Sequence, residues 1–383
     1  MKSARPRPPG FAEMTQRNTD MTFETTDLFE ARTGGYYNYR VPGIVTAPDG
    51  TLLVYCDARK GKGGDWDPID IHLRRSLDGG KTWEPAQVVV DHAQFEQGGI
   101  NNFVLIPDRV SGEVHALFCC NYESLYAMKS TDSGQTFTPP VEITSVFDAF
   151  RAEYNWKAGA TGPGHGIQLR SGRLIVPVWL STGEGHGGHR PSIVSVIYSD
   201  DHGANWQRGD IIVRHDEMVI NPSETVPVEL SDGRVLFNIR NESPQLRRLI
   251  SISPNGIDQW SAPVFDDALL EPQCMGSILR LKHTDDAILF ANPDNLEQTL
   301  PGLWQRAYDR KNLTLKLSQD DCQTWVASKV IEVGPSGYSD LAEADDGSVV
   351  CVYERGFVTG MADTQYITVA RFDPGWIAHS QDE

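Results

Sequence analysis

One hairpin pattern recurs along this chain about every 60 residues, and that period constrains the fold more than any other feature. "GIVTAPDGTLLVYCDAR" (43–59) and "VPVELSDGRVLFNIR" (226–240) are two copies. "HGIQLRSGRLIVPVW" (165–179) and "DLAEADDGSVVCVYERG" (340–356) repeat it, and "NNFVLIPDRVSGEVHALFCC" (101–120) is looser. The turn glycines Gly50, Gly112, Gly172 and Gly233 lie 62, 60 and 61 residues apart, and Gly347 follows after 114, two further periods. A sixth copy, "GSILRLKHTDDAILFAN" (276–292), carries Asp286 where the others have glycine. Six β-rich units without helical periodicity predict an all-β fold, a six-bladed β-propeller with four antiparallel strands per blade. Two packed sandwiches are the alternative, but they do not generate so regular a period.

A second repeat runs out of phase with the first. "SLDGGKTW" (76–83), "STDSGQTF" (130–137), "SDDHGANW" (199–206) and "SQDDCQTW" (318–325) share the form S-x-D-x-G-x-T-W, and "SPNGIDQW" from Ser253 is a degraded copy. Ser and Asp cap such a turn through backbone N–H groups, glycine supplies positive φ, and the aromatic packs between blades. The motif is therefore expected to be structural, with the Cys322 copy strained or differently shaped.

Composition narrows the partners. The net charge of −18 is spread along the chain and argues against nucleic acid. No run of about 18 apolar residues is present, so no membrane-spanning helix is expected. The six cysteines show no metal or redox spacing and read as free thiols, mostly packed as small hydrophobes; the adjacent Cys119 and Cys120 should point to opposite strand faces. Residues 1–25 begin polar and proline-rich without an apolar h-region. They are expected to form a disordered leader before one domain over 26–378. As written the chain reads as cytoplasmic, or as secreted or periplasmic where a native N-terminus is missing.

Alternating strand direction sorts residues onto faces. If the hairpin turns lie at the bottom of each blade, the S-x-D-x-G turns do too, and the remaining loops lie on top. Arg40 and Tyr338 are expected just before a blade's first strand, with Tyr338 on a tight loop because Gly334, Pro335 and Gly337 surround it. Glu224 leads into a first strand, Arg59, Arg240 and Glu354 close second strands, Asp65 lies in a top loop, and Arg310 precedes a third strand. All eight belong on one rim, where propellers bind ligands. Clustered guanidiniums repel unless an anion satisfies them, and the arginine fork suits a carboxylate.

These residues resemble the exo-α-sialidases (neuraminidases) of the bacterial and animal type. The S-x-D-x-G-x-T-W turns look like Asp-box (BNR) repeats, and "YRVP" (39–42) looks like the motif supplying the first arginine of a carboxylate-binding triad. The resemblance spans about residues 36–372. It implies Arg40, Arg240 and Arg310 as the triad, with Arg306 a rival for the third, and Asp65 as acid/base, with Asp67 and Asp70 as rivals. It further implies Tyr338 as nucleophile, Glu224 as its base, Glu354 orienting Arg40, and Arg59 as a pocket residue near Asp65. The implied activity is retaining hydrolysis of terminal sialic acids from glycoproteins, glycolipids or oligosaccharides through a glycosyl-tyrosine intermediate. Hydrolysis of a related ulosonic acid (KDN or Kdo), transfer to another sugar, and a non-catalytic glycan-binding propeller remain as alternatives. No cofactor and no metal are expected; His165, His186 and His189 are the best metal candidates and read instead as rim residues.

Overall fold

The computed structural model describes residues 23–95, 98–184, 188–299 and 308–378. Strand β1 (Phe23–Glu30) starts inside the segment expected to be a leader. The first sheet is β2 (Asn38–Thr46), β3 (Leu52–Arg59), β4 (Ile69–Ser76) and β5 (Gln87–Val90) in that order. The second is β6 (Ile100–Asp108), β7 (Glu113–Cys120), β8 (Ser124–Ser130) and β9 (Val141–Glu142). In the third, β10 (Ala158–Thr161) and β11 (Ile167–Gln168) both pair β12 (Leu174–Ser181), which pairs β13 (Ser192–Ser199); β14 (Gln207–Arg208) and β15 (Val213–Arg214) pair β13. The fourth is β16 (Thr225–Glu229), β17 (Val235–Ile239), β18 (Arg247–Ser253) and β19 (Val264–Leu270).

A seven-stranded sheet completes the fold, where four-stranded units were expected. It contains β20 (Ser277–Arg280), β21 (Ile288–Pro293), β22 (Lys311–Ser318), β23 (Ala327–Glu343), β24 (Val349–Phe357), β25 (Thr364–Phe372) and finally β1. The extra width has one cause. The 17-residue β23 pairs β22 through its first half and β24 through its second, fusing two hairpin units into one ladder. All pairings between named strands are antiparallel, and the arrangement is all-β and propeller-like.

Apolar side chains fill the spaces between successive sheets. Leu53, Leu105 and Phe118 join the first sheet to the second, and Val104, Cys119 and Trp179 join the second to the third. Cys119 and Cys120 lie in different clusters, as expected of neighbours on one strand, and all six cysteines are free and buried. Further layers join Ile175 to Phe237, Val228 to Phe290, Leu315 to Cys351, and Val352 to Val54, which closes the ring. Burying each such side chain contributes about 1.5–3 kcal/mol relative to exposure.

The bottom of the ring is built from the two repeats together. Gly50, Gly112, Gly172, Gly233 and Gly347 have φ between 78° and 95°, and Asp286 adopts 56° in the sixth hairpin. In the S-x-D-x-G turns, the Gly80 N–H donates to Ser76 Oγ (2.8 Å) and the Thr82 N–H to Asp78 (2.9 Å). Cys322 does not reshape its turn: its N–H donates to Ser318 Oγ at 2.9 Å with φ at 66°. The two turn types interlock, for Arg371 binds Gly79 O and Asp346, and Arg173 binds Asp200 and Asn255 O. Strand direction therefore puts the opposite strand ends on the far face. No helix among the described residues is long and apolar enough to cross a membrane.

Candidate active site

Backbone irregularities at the starts of inner strands shape the top face. The pairing of β2 with β3 slips between Arg40 and Gly43, and Val41 takes φ of 53°, strained for a β-branched residue. Glu354 takes advantage of this kink. It accepts from Arg40 Nε (3.1 Å), the Val41 N–H (3.0 Å) and the Tyr338 N–H (3.1 Å), tying the first and last hairpin units together. Burial would raise the Glu354 carboxyl, but Arg40 and these amides hold it below its ordinary value.

Tyr338 is not on a tight loop. It lies within β23 at a slip in pairing between Ser336 and Ser339. Gly337 is required for space: a Cβ there would sit 2.2 Å from Glu354 Oε2. The Tyr338 hydroxyl donates to Glu224 and accepts from Arg240 Nη1 (2.7 Å), which also donates to Glu224. Burial pushes the phenol above its ordinary value; Arg240 opposes this and Glu224 adds to it. Arg40 and Arg310 approach the ring, with guanidinium carbons 5.4 and 5.2 Å from its centroid. Arg310 donates to Gln273 O at 2.7 Å and makes no ion pair among the described residues. Arg306 lies outside them.

Arg59 closes β3 and bridges two carboxylates, Asp65 (2.6 Å) and the buried Asp57 (3.0 Å). Burial raises the Asp57 carboxyl to about 6 despite that partner. Burial would also raise Asp65, but Arg59, Arg40 and His189 outweigh it and hold the group well below the carboxylate range. Asp65 is one-third exposed and lines the pocket. Its rivals are engaged elsewhere. Asp67 caps the loop through the Lys62 and Gly64 N–H groups, and Asp70 binds Tyr36, Lys60 and His92.

The pocket, about 550 Å³ in volume, brings together Arg40, Arg59, Asp65, Glu224, Arg240, Arg310 and Tyr338, with Glu354 bonded to Arg40 and to the Tyr338 N–H but outside the lining. Its other wall is aromatic and escaped sequence reading: Trp66, Tyr122 and Trp179 surround His189, which lies 4.7 Å from Trp66 between ring centroids. Trp179 lies two residues before the end of β12 and Tyr122 two residues after β7, both close to top strand ends such as those that carry the arginines. His165 sits apart from this wall, buried and 2.8 Å from Asp340, while His186 lies outside the described residues.

Fold and site define a class: an all-β, propeller-like protein whose top-face pocket gathers Arg40, Arg240 and Arg310 around the Tyr338 phenol. The chain matches the BNR repeat-like domain over residues 50–351. It is 30% identical to a sialidase of Micromonospora viridifaciens over 373 residues, 90% of this chain and 52% of that protein. It is 27% identical to a sialidase of Bacteroides fragilis, covering 82% of this chain and 60% of that one. Among solved structures, the Hadza microbial sialidase Hz136 superposes with a TM-score of 0.76 at 25% identity, covering 92% of this chain and 69% of that one. The chain belongs to the sialidase (neuraminidase) family with BNR repeats. It spans about half to three-fifths of the length of these two bacterial relatives.

Proposed function

We propose that this chain is a retaining exo-α-sialidase acting on sialylated glycans. The observation that carries the reading is the phenol of Tyr338, which donates to Glu224, accepts from Arg240 and is flanked by Arg40 and Arg310. A sialic acid bears its carboxylate on the anomeric carbon, so a carboxylate nucleophile would be repelled, whereas a phenol is neutral until it reacts. Arg40, Arg240 and Arg310 take the substrate carboxylate. Glu224 receives the Tyr338 proton as the phenol oxygen attacks the anomeric carbon, and Asp65 protonates the departing oxygen. Asp65 then draws a proton from water, which displaces the tyrosine and leaves the configuration retained. Arg59 and Glu354 orient Asp65 and Arg40.

The same reading divides the ring into six blades within a single catalytic domain, its start moved from residue 26 to Phe23 by the pairing of β1 with β25 and its end kept at 378. Six apolar layers support it, with the seven-stranded sheet divided at the middle of β23.

The test is a panel of aryl glycosides of N-acetylneuraminic acid, KDN and Kdo, with product anomers followed by NMR. Release of N-acetylneuraminic acid as the α-anomer first is expected. Preference for KDN or Kdo would move the assignment to another ulosonic acid, and first release of the β-anomer would overturn the tyrosine intermediate.

A further inference from the structure

Behind the pocket lies an ion pair that the mechanism does not use. Arg248 on β18 and Glu271 after β19 are 0% and 1% exposed and meet at 2.6 Å. Arg248 is also anchored to Asn238 Oδ1 (2.6 Å) and Cys274 O (3.0 Å). Burying two charges is costly, and replacing such a pair by apolar groups is often neutral or stabilising, so stability alone is a weak reason for it.

The contacts of Glu271 suggest another reason. Its Oε1 accepts the Cys274 N–H at 2.9 Å and its Oε2 the Asn241 N–H at 3.4 Å. Asn241 follows Arg240, and Cys274 follows Gln273, whose carbonyl receives Arg310 Nη2 at 2.7 Å. Gln273 holds φ of 60°, a left-handed conformation that persists in a non-glycine residue when its surroundings over-determine it. The hydrogen bond from the Cys274 N–H to Glu271 and that from Arg248 to Cys274 O pin the next residue from both sides.

We propose that Glu271 is a positioning residue for the arginine clamp: it fixes the Gln273 carbonyl and through it aims Arg310 at the substrate carboxylate. This rests on the sialidase reading above. It does for Arg310, through a carbonyl, what Glu354 does for Arg40 directly.

The test uses Glu271→Asp, which keeps a charge for Arg248 but shortens the reach to Cys274, and the paired change Arg248→Met/Glu271→Met, which leaves no unpaired buried charge. Each is assayed on an aryl sialoside below its melting temperature, alone and with Arg310→Ala. Weakening a contact made equally to substrate and transition state raises KM without lowering kcat. Glu271→Asp should raise KM roughly tenfold with kcat within about threefold, and should add less than about twofold in the Arg310→Ala background. An unchanged KM with only a lower melting temperature, or the same increment in both backgrounds, overturns the proposal. Crystal structures of the ligand-free variants provide an arm that does not depend on activity. Loss of the Gln273–Arg310 bond supports positioning and its retention in both variants refutes it, even if the unmodified chain leaves sialosides intact.

Discussion

Asp65 and Arg59 are joined at 2.6 Å, yet Asp65 keeps a third of its side chain open to the pocket while Arg59 is 2% exposed. A buried cation thus holds an accessible carboxylate ionised in the ligand-free protein, where a general acid would need a proton. Part of that depression comes from Arg40. A bound substrate carboxylate offsets Arg40, so the Asp65 pKa rises in the complex. Activity that requires protonated Asp65 is lost as pH rises through that pKa. With sialyl-lactose, the basic limb of kcat should therefore lie at higher pH than that of kcat/KM, since the two report the complex and the free enzyme respectively. Limbs that coincide would show that ligand and acid are uncoupled.

Asp65→Ala should separate substrates by leaving group. A sugar alkoxide needs the proton and an activated phenolate hardly does, so sialyl-lactose turnover should fall by roughly 10²–10⁴ while a 4-methylumbelliferyl sialoside loses far less. Arg40→Ala should instead harm both alike, because both present the same carboxylate. Equal losses in Asp65→Ala would move the acid elsewhere.

Tyr338→Phe and Glu224→Ala should each lower kcat by several orders of magnitude with the melting temperature little changed. Mass spectrometry of protein quenched with a fluorinated sialoside should find the adduct on the Tyr338 peptide. An adduct on any other residue would reassign the nucleophile.

Gly337→Ala should disable the site without touching a reacting group. Its methyl would press within 2.2 Å of Glu354 Oε2, the oxygen that accepts the Tyr338 N–H, so the carboxylate would have to swing away from that amide and from its other partners, Arg40 and the Val41 N–H. A loss of at least roughly tenfold in kcat/KM with near-native circular dichroism is expected. Wild-type kinetics would mean that Glu354 relaxes freely.

On the bottom face, Asp108 accepts from the Val110 and Ser111 N–H groups (2.9 and 3.1 Å), Gln168 (2.6 Å) and His202 (2.7 Å) at zero exposure. Burial would raise its carboxyl, but these donors hold it well below its ordinary value. A depressed folded-state pKa gives stability that is present above the unfolded value of about 4 and lost as pH falls below it. Asp108→Asn should cost about 2–4 kcal/mol at pH 7, with the gap narrowing below pH 4 in urea denaturation. A gap constant with pH would assign the loss to packing rather than to charge.

The hairpin glycines, the S-x-D-x-G turns and the order of strands were legible in the sequence because each is local. A glycine with positive φ at the centre of a tight hairpin turn reverses the chain, and such reversals at a fixed period dictate which strand ends share a face. That logic alone assigns Arg40, Arg59, Asp65, Glu224, Arg240, Arg310, Tyr338 and Glu354 to one face. Period also limited what could be read. It marks where chains turn but not whether a strand runs on unbroken, so the fusion of two units through β23 and the extended backbone at Tyr338 did not show.

Only the closed ring decided who touches whom. Tyr338 and Glu224 meet across 114 positions, and Arg40 and Glu354 across 314. The reason for Gly337 is a carboxylate 17 residues later, not a turn, and Glu271 aims Arg310 through the carbonyl of an intervening residue. Sequence period fixes the direction of each strand, whereas the ionisation of Asp65 depends on where Arg59, Arg40 and His189 lie, and the aim of Arg40, Arg240 and Arg310 on Glu354, Glu224 and the Gln273 carbonyl, and only packing supplies those distances.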